Sequence, residues 1–247
     1  MTEKIYTIPI NESFEQDCEC PFCFLEKKLE SDAVSYALGA AMMEPDYRII
    51  SNEKGYCNKH FSMMFAKPNK LSLALVLETH LAEVISKLEK HNRACSNPSA
   101  KKTLFKKRSL HPDISAMLGN CQTIQNSCVI CEKIHQELTR YTEVFFYMWE
   151  KDNELKKKVI NSKGFCIKHF NHLCAHATTH LKNPKQFIST LYKLQLENLE
   201  RIKEEVHKFT LKFDYRNKDM PLGTAEDSPI RAIEKLSGYS IPIKPES

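Results

Sequence analysis

The sequence predicts an all-α protein made of two pseudo-repeated helical units, each stapled by a Cys₃His metal site, with a C-terminal extension. Three observations carry that prediction. A Cys-x-x-Cys…Cys-x-x-His quartet occurs twice, proline-free segments with helical spacing of apolar residues follow the half-sites, and the 247 residues include only six glycines. So few glycines argue against a turn-rich β fold, which needs many positive-φ positions.

The first copy runs Cys20-Pro-Phe-Cys23 and then Gly55-Tyr56-Cys57-Asn-Lys59-His60-Phe61, with thirty-three residues between Cys23 and Cys57. The second runs Cys128-Val-Ile-Cys131 and then Gly164-Phe165-Cys166-Ile-Lys168-His169-Phe170, with thirty-four residues between Cys131 and Cys166. The copies are offset by 108 to 109 residues throughout. A lone Cys-x-x-Cys is weak evidence, whereas the whole pattern repeated in register is strong. The chain therefore divides into a first repeat (1–95), a basic linker (96–109), a second repeat (110–213) and a tail (214–247).

Phe24 to Met43 and Glu132 to Lys151 follow directly from the Cys-x-x-Cys pairs and contain no proline. In the second, Ile134, Leu138, Tyr141, Phe145 and Met148 form an amphipathic stripe. Pro45 is expected to mark the end of the first of these helices. A further helix is expected from about Asn69 to His91, with Leu77, Leu81, Val84 or Ile85, and Leu88 on one face. Its counterpart runs from about Pro184 to Phe213, and the two are natural packing partners. In the tail, Ser228 as N-cap, Pro229 at the first helical position and Gly238 past the end specify a short helix.

Composition excludes several classes. With 42% hydrophobic and 27% charged residues the chain has ordinary globular usage. No stretch approaches the roughly 18–20 apolar residues of a membrane helix, and the N-terminus does not read as a secretory signal. The expected location is cytoplasmic. Ten cysteines in a reducing compartment read as metal ligands before disulfides. The formal charge of +5 does not demand a nucleic-acid partner.

Zinc takes four ligands in tetrahedral array with two-residue spacers inside each pair, which both quartets supply. A pair at positions i and i+3 at a helix start shares one face. Gly55 and Gly164 suit the tight turn ahead of each second pair. The sequence reading joins half-sites within a copy: Cys20, Cys23, Cys57 and His60 in one site, Cys128, Cys131, Cys166 and His169 in the other. Both are full without water, the mark of a structural zinc site. Two zinc ions per chain is the expectation. An iron–sulfur cluster is the minor alternative, and Cys20-Pro-Phe-Cys23 also looks like a dithiol oxidoreductase motif.

Other candidates carry less. Cys18, Cys95, Cys121 and Cys174 have no repeat partner and read as bystander thiols. His169, His172, His176 and His180 share a helical face, either as partly exposed residues or as an accessory site. Asp214 to Asp219 reads as a self-satisfied polar loop or a pocket lining. Lys101 to Arg108 reads as a solvated linker, with nucleic-acid binding as the alternative.

The segments CPFC, GYCNKH and GFCIKHF, with the tail FDYRNKDMPLGTAEDSPIRAIEKLSGY, resemble the bacterial domain-of-unknown-function family numbered 6062. The resemblance covers nearly the whole chain. It departs from the family's CPxC form at Val129, which is not a ligand position. It implies a paired Cys/His unit and no catalytic residues. The functional expectation is a non-enzymatic scaffold or regulatory protein that binds a protein or small molecule, without a membrane. The alternatives are a thiol–disulfide oxidoreductase using Cys20 and Cys23 and a nucleic-acid binder using Lys101 to Arg108.

Overall fold

The structure, a computed structural model, describes residues 6–96 and 112–238. The Lys101–Arg108 stretch and the Cys95 side chain lie outside the described residues. The described residues are helical, with no strand among them. In chain order the helices are α1 (Thr7–Glu15), α2 (Pro21–Ala37), α3 (Pro45–Lys54), α4 (Asn58–Ala66), α5 (Lys70–Ser96), α6 (Pro112–Asn126), α7 (Val129–Lys151), α8 (Asn153–Ile160), α9 (Ile167–His180), α10 (Pro184–Leu211) and α11 (Ser228–Ser237).

Local chemistry explains most boundaries. Pro45 does not close the preceding helix. α2 ends at Ala37, a 3₁₀ turn covers Ala40–Met43, and Pro45 opens α3 at its first turn, where a missing N–H costs nothing. The return segments ahead of the second half-sites are themselves helices. α3 stops at Gly55 (φ 66°), and Gly164 (φ 74°) follows α8. Both glycines hold a left-handed conformation that side chains resist. Asp152 caps α8 by accepting the amides of Glu154 and Leu155. The last helix begins one residue away from the expected frame. Asp227 occupies the N-cap position, and the Ser228 hydroxyl donates to the Ala225 carbonyl.

The chain forms two compact units, and these are not the sequence repeats. One contains Met1–Leu29 and Gln136–Ser247, the other Glu30–His135. The N-terminal strip with Cys20 and Cys23 thus belongs with the second repeat's Cys-x-x-His, and the first repeat's Cys-x-x-His belongs with Cys128 and Cys131. The first unit is built around Phe145, which meets Phe22 edge-on at 5.5 Å and Phe187 at 6.2 Å between ring centroids. Ile10, Leu155, Phe165, Leu173 and Leu191 bury fully around it. The second unit has a core of smaller side chains, Ala33, Val34, Ala37, Leu38, Met64, Val76 and Ile130. The long helices pack inside their own units: α10 against α9 and α11, α5 against α3 and α6.

α11 is turned against the usual polarity. Ile230, Ile233 and Leu236 are 55–63% exposed, while Lys235 has no exposed surface. Its charged residues face the unit because Glu19, only 3% exposed, sits there. Arg201 reaches Glu19 at 2.6 Å and Arg231 reaches it at 3.3 Å. Arg231 also pairs with Glu205 at 2.6 Å and Asp227 at 2.8 Å. With Lys235 3.5 Å from Glu19, three cations meet three carboxylates, which is how buried charge is tolerated.

Candidate metal centres

Each half-site lies at a helix N-terminus. Cys20, Cys57, Cys128 and Cys166 immediately precede α2, α4, α7 and α9, and the second donor of each pair falls three residues later. The first-turn amides of a helix have no intrahelical acceptor, so sulfur can take them. Cys20 Sγ accepts the Cys23 amide at 3.4 Å, and Cys166 Sγ accepts the His169 amide at 3.4 Å. The positive end of the helix dipole favours a thiolate at the same place.

These four helix starts converge two by two, and the partners are exchanged relative to the sequence expectation. Cys20, Cys23, Cys166 and His169 form one group; Cys57, His60, Cys128 and Cys131 form the other. In both, the donor atoms lie within 4.8 Å of one another. All eight expected residues are present, but the Cys-x-x-Cys of one copy meets the Cys-x-x-His of the other. Each group lies wholly inside one compact unit.

In the first centre His169 Nδ1 is 3.4 Å from Cys20 Sγ, 3.4 Å from Cys23 Sγ and 3.3 Å from Cys166 Sγ. Cys23 and Cys166 sulfurs are 3.5 Å apart. In the second, His60 Nδ1 is 3.2 Å from Cys57 Sγ, 3.2 Å from Cys128 Sγ and 3.5 Å from Cys131 Sγ. Cys57 and Cys131 sulfurs are 3.8 Å apart. A disulfide would bring sulfurs to about 2.05 Å, so none of these sulfurs is disulfide-bonded. One ring nitrogen cannot hydrogen-bond three thiols at once, whereas one ion between four donors satisfies all of them. Both groups can hold a metal ion.

The imidazoles are oriented from behind. Glu30 Oε1 lies 3.0 Å from His60 Nε2 and 2.5 Å from Lys59 Nζ. Glu26 Oε2 lies 3.5 Å from His169 Nε2, and its Oε1 lies 2.6 Å from Lys168 Nζ. A carboxylate on the far ring nitrogen fixes the tautomer that leaves Nδ1 free for a metal. The geometry at His169 is the poorer of the two: its Nε2 makes no aligned hydrogen bond. Sequence reasoning missed both glutamates. The available signal was Lys-His, repeated at Lys59-His60 and Lys168-His169, together with two glutamates one turn apart on α2.

The thiols are electrostatically unequal. Burial pushes Cys20 well above its ordinary range. Cys166 is held far below, first by hydrogen bonds from Cys20 and Cys23 and then by His169. In the second centre burial tends to raise Cys128, but the His60 ring and the Cys131 and Cys57 amides bring it down. Cys131 is pushed up by burial and by the neighbouring Cys128 charge. A cation held between these donors would displace protons from the thiols.

The tail closes the first centre, which the repeat pattern did not foretell. Gly238, with φ 86°, ends α11 so close that a Cβ there would lie 3.6 Å from Cys166 Sγ and 3.8 Å from Cys23 Sγ. Lys235 Nζ donates to the Glu19 carbonyl at 2.9 Å and also to the Lys163 carbonyl.

The remaining candidates fall elsewhere. His172, His176 and His180 form a ladder of rings, with His172 4.1 Å from His176 and His180 stacked on Phe146 at 5.5 Å. His172 Nε2 meets Thr142 Oγ1 at 3.0 Å, and no third group of converging donors occurs among the described residues. Asp214 and Arg216 pair with each other at 2.6 Å, and Asn217 donates to the Leu211 carbonyl. Cys18 and Cys174 are half-buried and Cys121 is exposed. No helix among the described residues is long and apolar enough to cross a membrane.

Comparison with curated proteins and with solved structures finds no match. One family model does match, over residues 1–242. With its duplicated Cys/His unit and its tail both inside that match, the chain belongs to the family of unknown function DUF6062.

Proposed function

We propose that the protein binds two zinc ions as structural staples, through Cys20, Cys23, Cys166 and His169 and through Cys57, His60, Cys128 and Cys131, and acts as a non-enzymatic scaffold or regulatory binding protein of the cytoplasm. The observation that carries this reading is the spacing of the donors. Zinc bonds of ~2.3 Å to sulfur and ~2.05 Å to nitrogen give a tetrahedron with edges of ~3.8 Å between sulfurs and ~3.6 Å from sulfur to nitrogen. The Cys23–Cys166 and Cys57–Cys131 separations of 3.5 and 3.8 Å and the sulfur–nitrogen separations of 3.2–3.5 Å agree within a few tenths of an ångström, and all donors of each group lie within 4.8 Å of one another.

A tetrahedron of that size has room for one ion at its centre, which favours zinc over a polynuclear iron–sulfur cluster. Four protein donors complete the coordination, so no position is left for substrate or water, as suits a structural role. The oxidoreductase alternative is less well supported. Cys20 is 4% and Cys23 9% exposed, and both sulfurs turn toward His169 rather than toward solvent. The partner remains a protein or small molecule of unassigned identity.

The test is elemental analysis of protein purified without added metal, together with cobalt substitution. Two zinc per chain, and tetrahedral thiolate-ligated cobalt spectra at both centres, support the reading. Iron with visible absorbance, or metal-free protein with native helicity, would end it.

A further inference from the structure

The two centres are duplicated in sequence but differ in cover. In the first, Cys20, Cys23, Cys166 and His169 are each at most 9% exposed, and Gly238 of the single tail lies over Cys23 and Cys166. In the second, Cys128 and His60 are buried, Cys57 is half-buried and Cys131 is exposed. Cys131 is the repeat counterpart of Cys23. Among the described residues the tail lies over the first centre, and the second presents a ligand sulfur to solvent with a second sulfur 3.8 Å away.

We propose that Cys131 is an oxidation site for hydrogen peroxide, resolved by Cys57, so that the second centre releases its ion on oxidation while the first retains its own. This rests on the reading of both quartets as metal centres. The Cys131 thiolate attacks one peroxide oxygen, the O–O bond breaks, and Cys131 becomes a sulfenic acid as hydroxide leaves. The Cys57 thiolate then attacks the Cys131 sulfur, forms the disulfide and expels a second hydroxide. The two sulfurs lose two electrons and the peroxide gains two. Only His60 and Cys128 remain on the ion, too few to hold it. Access selects the centre, since thiols of similar ligation oxidise according to exposure. Reduction by a dithiol restores the quartet.

The experiment uses the full chain carrying Cys121→Ser, which removes an exposed thiol outside both centres. Metal content is measured first, hydrogen peroxide is added, released zinc is read with a chelating dye, and disulfides are mapped by digestion and mass spectrometry. The expected result is one ion released at least ~10-fold faster than the other, with a Cys57–Cys131 link and an intact first quartet. Adding dithiothreitol and zinc should return the metal content to its starting value. Parallel loss of both ions, oxidation at Cys23 or Cys166 at the same rate, or a Cys128–Cys131 disulfide would overturn the assignment. The starting metal content tests the reading beneath the proposal, and the mass map tests the proposal itself.

Discussion

Cys20 Sγ lies 3.4 Å from His169 Nδ1, although 149 residues separate the two along the chain. The contact makes the exchange of half-sites testable. In a Cys20→Ser/Cys23→Ser variant, bound metal should fall from two ions to one, and alkylation should newly label Cys166. Cys57 and Cys128 should stay protected. If Cys57 becomes the newly labelled residue and Cys166 remains protected, ligands pair within a copy and the observed pairing is wrong.

The carboxylates behind the imidazoles predict unequal losses. Glu30 is 3% exposed and 3.0 Å from His60 Nε2, and removing such an outer partner lowers metal affinity by about 10–100-fold. Glu30→Gln should therefore weaken the second centre by that order in a competition titration against a chelator. Glu26→Gln should weaken the first centre less, because Glu26 is 3.5 Å away and 19% exposed. Equal losses would show that the carboxylates act only as diffuse charge.

What could be read from the sequence follows from what repeats and what does not. The eight Cys and His donors, the helices after each Cys-x-x-Cys and the positive-φ turns at Gly55 and Gly164 are all carried by local patterns. The pairing was out of reach because either combination of half-sites makes the same Cys₃His set. Only the three-dimensional path, with Phe22 between Cys20 and Cys23 packed edge-on against Phe145 and Phe165, distinguishes them. Glu26 and Glu30 escaped because they serve two non-equivalent histidines from one helix, with no repeat counterpart. α11 was legible only through its end signals at Ser228, Pro229 and Gly238, and its inversion depends on Glu19, Arg201 and Glu205, more than twenty residues away.

That inversion predicts mutational costs opposite to hydropathy. Glu19→Gln leaves Arg201, Arg231 and Lys235 facing a neutral group in a buried site, and should cost about 3–5 kcal/mol in denaturant unfolding. Ile233→Ser changes a 55% exposed side chain and should fall within about ±0.5 kcal/mol. A large loss from Ile233→Ser with a small one from Glu19→Gln would mean that α11 packs through its apolar face.

Lys235 also sets a pH dependence. Burial lowers its pKa from the ordinary 10.5, with the Glu19 charge opposing the shift. As pH rises, the folded chain releases this proton before the unfolded chain does. Between the folded value and 10.5 the unfolded state therefore binds more protons, and stability from this group rises with pH. Below that window both states are protonated and the penalty of the buried charge is fully present. Lys235→Met lacks the titration, so the unfolding free energy of the natural protein minus that of the variant should climb across the window. The comparison cancels tyrosine and cysteine ionisations common to both. A flat or falling difference would mean that Lys235 keeps its charge at no cost, held by the Glu19 carboxylate and the Glu19 and Lys163 carbonyls.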